Sequence, residues 1–103
     1  MKIINNSETK LEIKTTTKFD KQLKKLHKQG KDIEKLIYVI QKLANKEKLE
    51  FKYKNHNLND NKIYKNCKEC HIEPDWLLVY QINDKELILL LFATGSHSEL
   101  FER

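Results

Sequence analysis

Four histidines, His27, His56, His71 and His97, are the side chains in this 103-residue chain best suited to moving protons near neutral pH. They do not carry equal weight. His27 falls among lysines on the outer face of a helical pattern, where a solvated role accounts for it. His56 lies in a polar connection, His71 near the end of a strand pattern, and His97 just after another strand pattern. Strand ends and loops are where a rigid scaffold displays reacting groups. Around His71 the chain reads Cys70-His71-Ile72-Glu73-Pro74-Asp75-Trp76, which gathers a histidine, a carboxylate and an aromatic ring at a proline turn. That trio suits RNA: Asp75 can orient the imidazole or accept a proton, and the Trp76 indole can stack a base. It is equally consistent with structure alone, since aspartate at a turn and tryptophan opening a core strand are both ordinary.

Cys67-Lys68-Glu69-Cys70-His71 matches the short pattern of covalent haem attachment. That chemistry requires export, and residues 1–10 have no apolar stretch of a secretory signal. The two cysteines and His71 could offer three soft ligands to zinc, but no second Cys or His pair stands at finger spacing. The expectation is two reduced thiols in a cytoplasmic protein, with no metal and no cofactor.

Net charge is +5, which favours polyanionic partners: RNA, DNA, the ribosome surface or an acidic protein. Nineteen of the twenty basic residues are lysine and only Arg103 is arginine, a bias that the nucleotide composition of a gene also produces. Lys18, Lys21, Lys24, Lys25, Lys28 and Lys31 stand against Asp20 alone along one helical pattern. They form either a solvated face or a surface for phosphate backbones. No stretch approaches the roughly 20 apolar residues of a membrane span, so no membrane role is expected.

The elements that must position these groups follow from periodicity. After a polar lead-in over residues 1–10, a single domain is expected over residues 11–103. Residues 11–16 alternate as a short strand, and Thr17 can cap a helix whose face carries Phe19, Leu23 and Leu26. Gly30 can stop that helix, and Asp32 can cap a second one with a wide apolar stripe from Ile33 to Ala44. Residues 45–62 form a long polar connection. Strands are expected over 64–72, ended by Pro74, over 76–82, and over 86–94, with a helical turn over 97–101. The order β-α-α-β-β-β is an α+β fold, a small mostly antiparallel sheet packed by an αα-hairpin.

From about residue 53 to residue 101 the chain resembles YafQ-type toxins of the RelE/ParE superfamily, which belong to bacterial type II toxin–antitoxin pairs. The resemblance rests on Lys54-Asn55-His56-Asn57-Leu58, on the HIEPDWLLVY block from His71 to Tyr80, and on the TGSHSELF block from Thr94 to Phe101. It implies a RelE-like fold and a ribosome-associated, metal-independent mRNA endonuclease held silent by a cognate antitoxin. DNA would be met only through the antitoxin complex. Carried over by position, the catalytic set is His56, His71, Asp75 and His97, with His97 as general acid and His71, paired with Asp75, as base. Lys68, Trp76 and Phe101 would contact substrate or shape the site.

Two positions depart from the family pattern. Ala93 stands where an arginine usually precedes the last histidine by four residues. Lys68 and Cys67 replace the arginine and tyrosine of the usual stretch before His71. Lysine supplies charge without the bidentate fork of a guanidinium. Losing that arginine favours an alternative, a weak or inactive relative that chiefly binds an antitoxin and acts as co-repressor. A gyrase inhibitor on the same scaffold is a third reading, and it would not call for the histidine cluster.

Overall fold

Leu11 and Ile13 alternate with polar neighbours, and the chain there forms strand β1 (Glu12–Thr15) with both apolar side chains turned into the core. The structure, a computed structural model, describes residues 9–59 and 61–101. Most of the lead-in expected over residues 1–10 therefore lies outside the described residues. Thr16, one residue before the expected cap, starts helix α1 (Thr17–Lys28). Its hydroxyl accepts the Phe19 N–H at 3.0 Å and donates to the Phe92 carbonyl at 2.7 Å, so one side chain both begins the helix and pins it to the sheet.

Phe19, Leu23 and Leu26 are buried as their spacing predicts. Gly30 stops the helix at φ +80: the Lys31 N–H reaches back to the Leu26 carbonyl and the Gly30 N–H to that of His27, each at 3.1 Å. Asp32 then caps helix α2 (Ile33–Ala44) by accepting the Glu34 N–H at 3.1 Å.

The connection expected to lack structure contains a 3₁₀ turn, Phe51–Tyr53, and a two-residue strand β2 (His56–Asn57). Strands β3 (Lys68–Glu73), β4 (Trp76–Asn83) and β5 (Ile88–Gly95) follow, then helix α3 (His97–Phe101). The strand expected from residue 64 begins later because Tyr64 sits in a turn closed by the Cys67 N–H on its carbonyl, 3.1 Å away. Tyr64 is nonetheless fully buried. Its apolar character reflects packing on the sheet rather than membership of it.

The sheet runs β1-β5-β4-β3-β2, with β1 parallel to β5 and every other pair antiparallel. Helices α1 and α2 cover one face, over Cys70, Ile72, Leu78, Tyr80, Leu89 and Leu91. A second cluster of Tyr64, Cys67, Leu77, Val79, Ala93 and Leu100 covers part of the opposite face. β4 is central and buried on both sides, which is why its sequence is continuously apolar. Opposite Val79 and Tyr80 the register of β5 shifts by one residue, at Phe92. That bulge leaves Leu91 on the helical face and turns Ala93 to the other.

Candidate active site

In β3 successive side chains alternate between faces, so Glu69 and His71 point away from the face that Cys70 and Lys68 share. β2 sets His56 directly opposite Glu69. The two imidazoles thus flank one carboxylate. Glu69 Oε1 lies 3.2 Å from His56 Nε2 and 3.6 Å from His71 Nε2, and the rings are 6.4 Å apart. Glu69 is buried, at 5% exposure, while His56 is open to solvent.

Each ring also turns its Nδ1 to a backbone carbonyl, His56 to Lys54 at 2.7 Å and His71 to Pro74 at 3.4 Å. A carbonyl only accepts, so His56 Nδ1 carries a hydrogen. His56 Nε2 and the Glu69 carboxylate are near enough to pass a proton between them. The segment carrying His56 is fixed from behind: the Tyr80 hydroxyl donates to Asn55 Oδ1 at 2.6 Å. Burial pushes the Tyr80 phenol well up, so it stays a donor.

The β3–β4 turn links this cluster to His97. Pro74 offers its carbonyl to His71, and the next residue, Asp75, accepts the His97 backbone N–H at 2.9 Å. Ser96 and Glu99 build the start of α3 reciprocally. The Ser96 hydroxyl accepts the Glu99 N–H at 3.2 Å, and Glu99 Oε1 accepts the Ser96 N–H at 2.8 Å. Lys25 of α1 bonds the other Glu99 oxygen at 2.8 Å, and these partners hold the Glu99 carboxyl down at about 2. Gly95 is needed just before: at φ +154 a Cβ would stand 2.9 Å from Glu99 Oε1. The His97 ring rests on Phe101, with centroids 5.1 Å apart.

Among the residues singled out from sequence, His56 and His71 meet on one carboxylate, Asp75 meets the His97 backbone, and Phe101 supports the His97 ring. Three expectations are corrected. The carboxylate partner of His71 is Glu69, whereas Asp75 organises the start of α3. Trp76 is 1% exposed on the helical side and donates Nε1–H to Thr94 Oγ1 at 3.0 Å, so it cannot stack a base. Lys68 turns to the helical side as well, lining a cavity of about 630 Å³ with Tyr80 and Asn66. Glu69 itself was legible: two residues before His71, it must share that side chain's face of a strand.

The two cysteines are divided by the sheet, Cys67 in the second cluster and Cys70 under the helices, so they cannot close on one ion together. Burial pushes both thiols up, Cys70 to about 12. Among the described residues, no group of three or more His, Cys, Asp or Glu side chains is placed to hold a metal ion. No described helix is long and apolar enough to cross a membrane.

A five-stranded mixed sheet backed by two helices, with histidines and carboxylates gathered at strand ends, defines a small α+β toxin fold of the RelE-like kind. The family described as "Bacterial toxin of type II toxin-antitoxin system, YafQ" matches residues 11–102, and the chain belongs to that family. The mRNA interferase toxin YafQ of Escherichia coli (strain B / BL21-DE3) is 36% identical over 91 residues, which is 87% of this chain and 95% of that protein. Among solved structures, a metal-bound toxin from Helicobacter pylori is 49% identical with a TM-score of 0.82, covering 88% of this chain and 99% of that one. The toxin of the E. coli DinJ-YafQ toxin-antitoxin complex is 33% identical with a TM-score of 0.79, covering 89% of this chain and 98% of that one.

Proposed function

We propose that this chain is an endoribonuclease toxin that cuts mRNA on the translating ribosome in the cytoplasm without a metal, and that a cognate antitoxin silences it. The observation that carries the reading is the buried Glu69 carboxylate shared by His56 and His71, tied through the Pro74-Asp75 turn to His97. The E. coli relative's name and its complex with an antitoxin support the same substrate and partner here.

Metal-free cleavage needs a base, an acid and charge stabilisation at phosphorus. The His71–Glu69 pair takes the proton from the ribose 2′-hydroxyl as the 2′-oxygen forms its bond to phosphorus. The bond from phosphorus to the 5′-oxygen breaks, and that oxygen takes a proton from His97. The products are a 2′,3′-cyclic phosphate and a 5′-hydroxyl. After cleavage the proton gained by the His71–Glu69 pair passes to solvent through His56, which is open to water on the other side of Glu69, and His97 takes one back from solvent.

The test is to induce the wild-type protein and the His97→Ala variant separately and map new 5′ ends on translated mRNA. Wild type is expected to arrest growth and cut, and the variant to do neither while still folding and binding antitoxin. A chelator in the purified assay is expected to leave cleavage intact. Two equally harmless proteins, with no cut mRNA in either, would remove the enzyme reading. That result would leave the antitoxin-binding co-repressor, the reading that Ala93 favours.

A further inference from the structure

A phosphodiester cut without metal still needs a cation where charge develops on the phosphate. This chain has one arginine, Arg103, which lies outside the described residues. Ala93 is fully buried beneath Tyr64 and Leu100, so that position presents apolar surface. Lys68 lines only the helical-side cavity, which His71 does not reach, whereas Lys54 lines that cavity and the one that holds His71. The cation has to be sought where His71 is open.

β2 pairs only with Lys68 and Glu69, so β3 becomes a bare edge from Cys70 onward. Along that edge, between α2 and the 3₁₀ turn, lies a cavity of about 670 Å³ with His71 in its wall. Three lysines line it: Lys35, Lys52 and Lys54. Lys35 is committed to Glu73 at 2.9 Å. Lys52 lies over the Tyr53 ring, 5.3 Å from its centre. Four carboxylates line it as well, and none is paired with Lys54: Glu73 is taken by Lys31 and Lys35, Glu50 by Tyr38 and Lys42, and Asp32 caps α2, while Glu34 sits in the first turn of that helix.

Its backbone is informative too. Lys54 stands in the left-handed region, at φ 50 and ψ 46, a conformation that glycine adopts without penalty and that a side chain disfavours. Its carbonyl is the group that fixes His56 Nδ1 at 2.7 Å. One residue thus joins the His56–Glu69 pair to the open cavity, and carries a cation there despite an unfavourable backbone.

We propose that Lys54 is the phosphate-binding cation of this active site, taking from the 3₁₀-turn side the role for which position 93 has no charge. The inference rests on the nuclease reading above. It is tested with purified protein and Lys54→Ala, Lys54→Gly and Lys54→Arg, each in single-turnover cleavage of an RNA oligonucleotide. In parallel, inorganic phosphate is titrated while the His56 and His71 ring signals are followed by NMR.

Loss of Lys54 is expected to lower the maximal cleavage rate by about 10²–10³-fold, the scale of one lost electrostatic group, with a smaller change in the RNA concentration for half-saturation. Lys54→Gly is expected to lose as much while melting at the same temperature or higher, which separates chemistry from folding. Lys54→Arg is expected to retain cleavage. Phosphate is expected to shift the His71 signal saturably in the wild type and not in Lys54→Ala. Cleavage by Lys54→Ala at the wild-type rate, or an unchanged phosphate titration in that variant, would overturn the assignment. A wild type that cuts no RNA would sink the nuclease reading alone, and the phosphate titration would still decide whether Lys54 builds an anion site beside His71.

Discussion

Replacing Ala93 by arginine puts the charge back where the family usually has it, and if a lysine has taken over the phosphate, the sequence by itself predicts that cleavage should rise or stay level. The structure predicts damage. Ala93 is fully buried and packs with Tyr64, Cys67, Leu77, Val79 and Leu100, and Tyr64 in turn is held by its own hydrogen bond to the Leu100 carbonyl at 3.1 Å. Overpacking such a site costs about 1–3 kcal/mol, and an uncompensated buried charge about 3–5 kcal/mol more. A total of about 4 kcal/mol or more corresponds to a fall in melting temperature of roughly 15 °C or more for a domain of this size. Ala93→Leu carries the steric part alone and should fall less.

A double-mutant cycle with Tyr64→Ala identifies the obstacle. Removing a large buried ring costs about 3–5 kcal/mol by itself, but it opens the space that the guanidinium needs, so the pair should be less destabilising than the sum. Melting is followed by circular dichroism, and cleavage is measured on the same samples below the transition. Ala93→Arg melting within about 2 °C of wild type, well under the shift of a single kcal/mol, and cutting RNA faster would refute the closed apolar face over position 93.

Glu69→Gln keeps the shape of the side chain but cannot take up a proton between His56 and His71. Cleavage is expected to fall by about 10²–10⁴-fold with the melting temperature nearly unchanged, measured on the same RNA oligonucleotide. The Glu99 carboxyl is held at about 2 by Lys25 and the Ser96 N–H, below its ordinary 4.5. Its stabilisation is therefore complete above the ordinary carboxylate range and is lost as pH falls from there towards 2. Glu99→Gln should flatten that part of a stability-against-pH curve, by a modest amount because the pair is partly open to water. Trp76→Phe loses the bond to Thr94 and some packing, at a cost of about 1–3 kcal/mol seen in thermal unfolding. RNA binding, followed by fluorescence anisotropy, should not change; a weakened RNA complex at full stability would return Trp76 to the substrate site.

Much of this protein was legible along the chain because the signals are local. Apolar spacing marked α1 and α2, Gly30 and Asp32 marked the break between them, and the unbroken apolar run of β4 marked a strand covered on both faces. The three histidines of the proposed site stood out by residue type and by their place at strand ends and in a loop. What the sequence left open depends on pairing between distant segments. The two residues of β2 have no periodicity of their own, and only their register against β3 sets His56 on Glu69. Trp76 and Lys68 read as substrate contacts until the strands were placed, because the face a side chain takes is fixed by sheet register and not by its chemistry. The bulge at Phe92 is the clearest case. Leu91 and Ala93 have the spacing of neighbours on one face, yet one extra residue sends them to opposite faces, and that shift puts Ala93 under Tyr64.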